Sequence, residues 1–463
     1  MRGEIYIFLK KLNLSCRINK LILFFGIILI FFSILVLTSS LVLMNSDRIS
    51  YGISISKITL SNLTKEEAIE TITPIYTKKL ESLDFIKLTY KGQSWVINPS
   101  DIDLKIDLQG TVNEAYSIGR NPNIIKGFME RIDSIINGRE ISSKVTYNED
   151  KLKSILKQIA IKTDEPSKNA ECTLTDKGEI LITPEIIGQT LSIDDFSNEL
   201  KNIILALQLP QNISIPLTES APLVTANSLK GIDTILSSYS TQFNNSNYKR
   251  SENIRISAAS LNHILIDPEQ IISFNELVGL RLAQAGYQEA PVLIDGKSVP
   301  DIGGGVCQVS STLYNTVLLA NLKSVERISH FYPSSYVPMG LDATVADHLL
   351  DFKFQNILKN PIYIITQVYQ GTVSIYILGN HDDLSPYKIS LISIIEQTTS
   401  PPISLRYDKS LPAGSRILID SGKPGYIVSA YRLKRINDKE IERELLHTDT
   451  YSPTDKVFLI GTR

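Results

Sequence analysis

One run dominates the pattern of apolar and polar positions. Leu21 to Met44 reads LILFFGIILIFFSILVLTSSLVLM, with no charge in 24 residues. A helix of that length crosses the hydrocarbon core of a bilayer, so the run predicts a single membrane span. Arg2, Lys10, Lys11, Arg17 and Lys20 precede it, and Asp47 and Arg48 follow. The positive-inside bias then places residues 1–20 in the cytoplasm and the bulk of the chain outside. A cleaved signal peptide is the alternative. It suits the sequence less well, because the run exceeds a usual signal core and no A-x-A-like site follows.

Beyond the span the period changes repeatedly. Residues 50–59 alternate and predict a strand. Thr64 and Glu67 form a capping box ahead of a helical face of Ala68, Ile69 and Ile72. Residues 86–97 predict a hairpin turning at Lys91-Gly92, and 150–161 a helix. A similar unit follows: a hairpin over 172–183 turning at Asp176-Lys177-Gly178, a helix with Ser192 as N-cap, and a strand over 213–217. Strands and helices in this order argue an α+β region over 50–220. Residues 221–249, rich in Ser, Asn and Thr, predict a linker. Short strands are expected at 323–328, 351–356, 361–367 and 372–378. The tail predicts an all-β module, with strands near 389–396, 415–420, 425–436, 439–448 and 456–460. The fold class is thus an α+β multidomain ectodomain with one N-terminal transmembrane helix and an all-β C-terminal module.

Charge narrows the partners. Residues 1–20 hold five of the 47 basic residues, leaving 42 against 48 acidic residues beyond the span. So mildly acidic a body offers no strong case for binding nucleic acid. Of three cysteines, Cys16 precedes the span, and Cys172 and Cys307 follow it. A bridge between the latter two is left open by sequence.

Candidate chemistry gathers at IGGGVCQVSSTLYNTVLLANL, Ile302 to Leu322. Gly303, Gly304 and Gly305 allow a tight turn before a helix whose face carries Val309, Leu313, Thr316, Val317 and Ala320. Cys307 in the first turn meets the positive end of the helix dipole, which favours thiolate. A small buried hydrophobe is the plain alternative. A nucleophile needs a base, and His330 is the best placed. A helix to Leu322 runs roughly 22 Å, and the extended KSVERISH returns about 25 Å. Asp342 is the preferred orienting carboxylate, with Asp347 and Asp351 behind it. Gln308 and nearby backbone N–H groups are candidates for an oxyanion hole. A metal reading of Cys307, His330, His348 and an aspartate matches no standard zinc spacing. The glycines lack the Lys-Ser/Thr of a phosphate loop. No cofactor is indicated.

These residues carry a resemblance. ISFNELVGLRLAQAGYQEAPVLIDGKSVPDIGGGVCQVSSTLYNTVLLANL and RISHFYPSSYVPMGLDATVADHLLDFKFQN resemble the VanW family over 250–380. At matching positions stand Cys307, Gln308, Ser310, Ser311, Tyr314, His330, Tyr336, Gly340 and Asp342. These positions include the candidate catalytic residues Cys307, His330, Asp342 and Gln308, whose roles the residues suggest and which the resemblance leaves without an established activity. Gly303, Gly304, Gly305, Ser310, Ser311, Tyr314 and Tyr336 are the candidate substrate contacts beside them. Leu341 replaces the family's arginine, and Asp347-His348-Leu349 replaces a glycine-rich segment. The family takes its name from vancomycin-resistance gene clusters. ISKITLSNLTKEEAIETI and IGQTLSIDDFSNEL resemble a YoaR-type N-terminal region with a peptidoglycan-binding domain. PAGSRILIDSGKPGYIVSAYR and YSPTDKVFLIGTR in 389–463 resemble a G5 domain, with Gly414, Gly422, Gly425 and Gly461 in place and Asn437-Asp438 at the remaining glycine. This implies an envelope protein binding peptidoglycan or glycans containing N-acetylglucosamine. The alternative is a cysteine-dependent hydrolase or acyl transferase acting on peptidoglycan peptides.

Overall fold

The computed structural model describes residues 2–44, 46–175, 177–207, 209, 212–294 and 297–463. The chain forms two compact units: residues 1–166 with 188–220, and residues 167–187 with 221–463.

The first unit begins with the helix Arg2–Met44. Within it, Asn19–Ser39 has the length and composition to cross a membrane, and none of that stretch is buried by protein. Two small cores follow. One gathers Ile49, Ile53, Ile55, Ala68, Ile72, Tyr76, Val112 and Ile141. The predicted strand over 50–59 is instead a hairpin, Ile53–Ile55 against Ile58–Thr59. Ser56 and Lys57 take positive φ between them, so the alternation bends back on itself. The capping box at Thr64 and Glu67 forms and opens the helix Lys65–Glu81. The second core joins Ile86, Leu88, Leu152, Leu156, Phe196, Leu200 and Ile204. The hairpin Ile86–Tyr90 with Gln93–Ile97 and the helix Glu149–Thr163 stand where the periodicity put them. Ser192 caps the helix Ile193–Leu205 by backbone position only, its hydroxyl being spent on Asp195 at 2.5 Å. The helices Leu108–Ser117 and Ile124–Asn137 were not predicted.

The second unit redraws two boundaries. The hairpin Glu171–Leu174 with Ile180–Thr183 belongs to it, with Cys172 and Ala170 in a cluster alongside Tyr363, Ile365 and Leu378. Asp176, part of the expected turn, lies outside the described residues. The expected linker holds a strand, Thr234–Gln242, which pairs along Thr372–Gly379. Its alternate residues are Ser and Thr rather than aliphatic, which disguised it. A four-stranded antiparallel sheet orders Thr234–Gln242, Thr372–Gly379, Ile362–Tyr369 and Ile264–Ile266. A three-stranded sheet joins Ile271–Ser273, Lys353–Gln355 and Lys323–Glu326. The helix Val306–Leu319 lies at the centre, buried at almost every position.

The C-terminal module is all strand. Lys388–Thr399, Gly425–Ile436 and Lys439–Tyr451 form one antiparallel sheet. Arg416–Asp420, Lys456–Gly461 and Ile403–Asp408, the last not predicted, form another. Asn437 and Asp438 both take positive φ at the hairpin tip, which is turn chemistry that needs no glycine.

Arg432 ties this module to the central helix. Its Nη1 donates to the carbonyl of Leu322 at 3.1 Å, and its Nε and Nη2 pair with Glu444 at 2.7 and 3.0 Å. A cation at a helix C-terminus satisfies carbonyls that the helix leaves unpaired. Arg432→Ala is expected to destabilise the second unit by about 2 kcal/mol, because it leaves buried acceptors without a donor. Thermal unfolding checks it. Arg443, which pairs with Glu440 at the surface and sits over the Tyr431 ring, is the control, and Arg443→Ala is expected to shift the transition far less.

Candidate functional site

The glycine run does the local work that its sequence promised. Gly303 and Gly305 have φ of +85° and +114°. A Cβ on Gly304 would stand 2.7 Å from the carbonyl oxygen of Ala290. Gly305 is the N-cap, and Cys307 is the second residue of the helix. Among the described residues no acceptor takes the Cys307 amide N–H, while those of Val306 and Gln308 bond to Gly303 and Gly305.

The segment 341–345 is laced along that helix. Asn315 Nδ2 donates to Leu341 O at 2.7 Å, and Ser310 Oγ to Ala343 O at 2.6 Å. The amide of Ala343 donates to Ser311 Oγ at 2.9 Å. The Cys307 Sγ lies 3.4 Å from Val345 O. This lacing sets Asp342 beside the helix start, and the return from Leu322 brings His330 to the same place.

Asp342 is 1% exposed and saturated. Its Oδ2 accepts from His330 Nδ1 at 2.5 Å and from the His330 amide at 2.7 Å. Its Oδ1 accepts from Tyr451 Oη at 2.6 Å and from Arg327 Nη2 at 3.1 Å. Arg327 also donates through Nε to Asp342 O at 2.6 Å, and through Nη1 to both oxygens of Asp449 at 2.7 Å. With Nδ1 held by Asp342, His330 places Nε2 3.4 Å from Tyr336 Oη, with its ring close enough to the Cys307 thiol for the two to interact electrostatically.

The electrostatics follow. Burial disfavours charge on all three groups, and mutual pairing overrides it. Asp342 is held down to about 2 by His330, Arg327 and Tyr451. His330 is raised to about 9 by Asp342 and Cys307. The Cys307 thiol is lowered by the hydrogen bond and charge of His330, with Arg281 contributing. These directions all favour a thiolate–imidazolium pair oriented by a carboxylate. Cys172 behaves oppositely. It is buried, its thiol is pushed up to about 11 by desolvation, and neither it nor Cys307 is in a disulfide.

Several expected residues stand elsewhere. Gln308 is 1% exposed and faces inward, donating to Thr241 Oγ1 at 3.0 Å and Gln242 O at 2.9 Å, so its side chain does not reach an oxyanion beside Cys307. Ser310, Ser311 and Tyr314 are buried; the serines brace 341–345, and Tyr314 packs edge-on against Phe352. Tyr336 alone of the expected substrate contacts outside the glycines touches His330. Asp347 pairs with Arg281, and Asp351 bonds to Ser273 and the Asn275 amide, so neither orients His330. His348 does not join Cys307 and His330, and no three metal-ligating side chains converge among the described residues. Leu341, where the family has arginine, is buried in the main core.

Sequence reading missed Arg327, Asp449 and Tyr451. The last two lie in the C-terminal strands, over a hundred residues from Asp342, and no local pattern marks them.

Comparison with known proteins places the domains that carry this site. A family model described as "VanW like protein" matches residues 249–378. The chain is 37% identical over 227 residues to "Uncharacterized protein YoaR" of Bacillus subtilis (strain 168), covering 49% of this chain and 73% of that one. The chain belongs to the VanW family. It is also 31% identical over 109 residues to "Vancomycin B-type resistance protein VanW" of Enterococcus faecalis (strain ATCC 700802 / V583), covering 22% of this chain and 40% of that one. A model described as "Putative peptidoglycan binding domain" matches residues 95–210, and the G5 domain model matches 393–463. Among solved structures, HP0197-G5 aligns at 25% identity over 17% of this chain and all of that one, with a TM-score of 0.13. The IgA1 protease G5 domain aligns at 23% identity over 17% of this chain and 88% of that one, with a TM-score of 0.14. The three domains in this order mark a cell-wall-associated VanW-like protein whose last domain is all-β. In these terms, Asp449 and Tyr451 are G5 residues completing the polar shell of a VanW-domain carboxylate.

Alkylation of Cys307 across pH tests the ion pair. The parent is expected to label well below the free-thiol value of about 8.5. His330→Ala removes the cation and leaves the burial, so labelling at neutral pH should slow at least about tenfold, one pKa unit, and move to alkaline pH. Tyr451→Phe removes one donor from Asp342 and keeps the ring. The expected result is a smaller shift of the same labelling profile with unfolding little changed, whereas a purely structural role predicts the reverse.

Proposed function

We propose that this chain is a membrane-anchored envelope protein that binds peptidoglycan, its N-terminus cytoplasmic and its bulk extracytoplasmic. The carrying observation is the succession of a peptidoglycan-binding-type domain, a VanW domain and a G5 domain behind one apolar helix. A helix through residues 21–44 keeps those domains within reach of the wall, and the G5 module supplies contact to glycans containing N-acetylglucosamine. The likeness to a vancomycin-resistance protein supports a role in wall maintenance under glycopeptide stress.

A second reading has its own observation, the Cys307–His330–Asp342 array. It supports acyl transfer on wall peptides. Cys307 Sγ attacks a peptide carbonyl and forms a thioester, and the C–N bond breaks as His330 gives its proton to the leaving amine. Water or a second amine then attacks the thioester, His330 takes that proton, and the thiolate is released. The Cys307 amide N–H would stabilise the oxyanion. The half-buried Arg250, whose side chain passes Gly305 and feels the charge on Cys307, offers a cation to a peptide carboxylate.

Cosedimentation of the full chain with purified sacculi separates the two. Parent and Cys307→Ala are expected to sediment equally with the wall, and absence of sedimentation would overturn wall binding. Only the parent should gain a peptide thioester on Cys307 when mixed with peptidoglycan fragments. If intact-mass analysis finds no such adduct and no altered fragments, the acyl-transfer reading falls and binding stands alone.

A further inference from the structure

The helix Ile124–Asn137 is built inside out. Its buried positions are Gly127, Arg131 and Ser134. Its exposed face carries Ile124, Ile125, Met129, Ile132, Ile135 and Ile136, with Ile125 and Ile136 73% and 74% exposed. At about 100° per residue, Phe128 and these six fill an unbroken arc of roughly 140° that excludes the buried face. Lys126, Asp133 and Asn137 flank it. Single exposed hydrophobes need no explanation, but a continuous stripe on one helix marks an interaction surface.

The chain itself says what lies nearby. The apolar run ends at Met44, and the folded body has begun by Ile49, which is 2% exposed. At about 3.5 Å per residue, that connection spans at most about 18 Å. The emerging segment is held along this helix. Arg120 Nη2, just upstream of it, donates to Ser46 O and Arg48 O, both at 2.6 Å. Further on, Ser134 Oγ donates to Tyr51 O at 3.0 Å, and the Arg139 amide to Gly52 O at 2.8 Å. Gly52 lies so close to the helix that a Cβ would meet Ser134 O at 1.8 Å. Tyr51, an aromatic suited to the headgroup level, is 55% exposed.

We infer that the Ile124–Asn137 helix lies in the interface of the same bilayer that the N-terminal helix spans, its isoleucine face among the acyl chains. This makes the anchor a two-point attachment and fixes the orientation of the first module at the membrane surface. The contact is apolar and does not need anionic lipid. The inference rests on the anchored reading given above, so the test reports on each separately.

The full chain is reconstituted in phosphatidylcholine vesicles with brominated acyl chains. Leu29→Trp places a reporter in the span, and Met129→Trp or Ile136→Trp places one on the helix face. Emission is read as the difference from the parent, whose single tryptophan is Trp95. Bromine should quench most of the added emission at all three positions, and high salt should leave it quenched. Quenching at Leu29→Trp with none at Met129→Trp and Ile136→Trp overturns the interfacial helix and leaves the anchor standing, as burial of the face against a second copy would. No quenching at any position overturns both.

Discussion

Everything in the second unit that bears on chemistry is arranged to keep one carboxylate charged out of water. A buried ionised carboxylate is tolerated only when donors replace its hydration. Asp342 meets that condition with four: the His330 ring, the His330 amide, the Arg327 guanidinium and the Tyr451 hydroxyl. These come from the return after the central helix and from a distant G5 strand. The solvation requirement of one side chain thereby fixes three pieces of chain at once. Arg327 is in turn balanced by Asp449, and Gly340 gives its amide to Tyr451 and its carbonyl to His447. The VanW and G5 domains are one electrostatic structure at this point, joined by charge and hydrogen bonds as well as by apolar packing.

That arrangement explains why the pKa of the Cys307 thiol is lowered although burial opposes its charge. Burial alone drives a cysteine toward the neutral form, as Cys172 shows with no cation beside it among the described residues to offset the penalty. Cys307 experiences the same penalty and has a cation to offset it. The cation exists because Asp342 keeps His330 protonated, and Asp342 can do so because Arg327 and Tyr451 hold it ionised. The chain of dependence runs from a G5 tyrosine to a VanW sulfur through two hydrogen bonds and the charge of His330.

Part of this was legible in the sequence. The glycine run, the cysteine two residues into a helix and the lengths of the outward helix and returning strand placed Cys307 and His330 together by simple geometry. Asp342 stood ahead of Asp347 and Asp351 as the orienting carboxylate with no spacing to support that order. Other features carried no local signal. Tyr451 and Asp449 sit in a strand whose alternation reads as ordinary β structure. Gln308 looked functional because it is polar beside a nucleophile, yet the helix is enclosed on every side and its polar residues face other polar residues. The strand Thr234–Gln242 was taken for linker for the same reason. Its Ser237 and Thr241 bond to the Thr316 carbonyl and the Thr312 hydroxyl of that helix, so its inward face lacks the aliphatic residues by which a buried strand is recognised.

Two helices thus depart from the apolar-in, polar-out rule, and in opposite senses. Val306–Leu319 buries Gln308, Ser310, Ser311, Thr312, Asn315 and Thr316. Each is hydrogen-bonded, which suits a core whose task is to hold a reactive group in one geometry rather than to maximise apolar burial. Ile124–Asn137 does the reverse and turns seven large apolar side chains away from its own core. Neither departure helps a free-standing domain fold, since polar burial forfeits hydrophobic gain and apolar exposure forfeits it again. Each makes sense only if something outside the domain's own stability is served. For the first helix that is the fixed thiol at its N-terminus. For the second, hydrogen-bonded to the segment that emerges from the span, it is the bilayer.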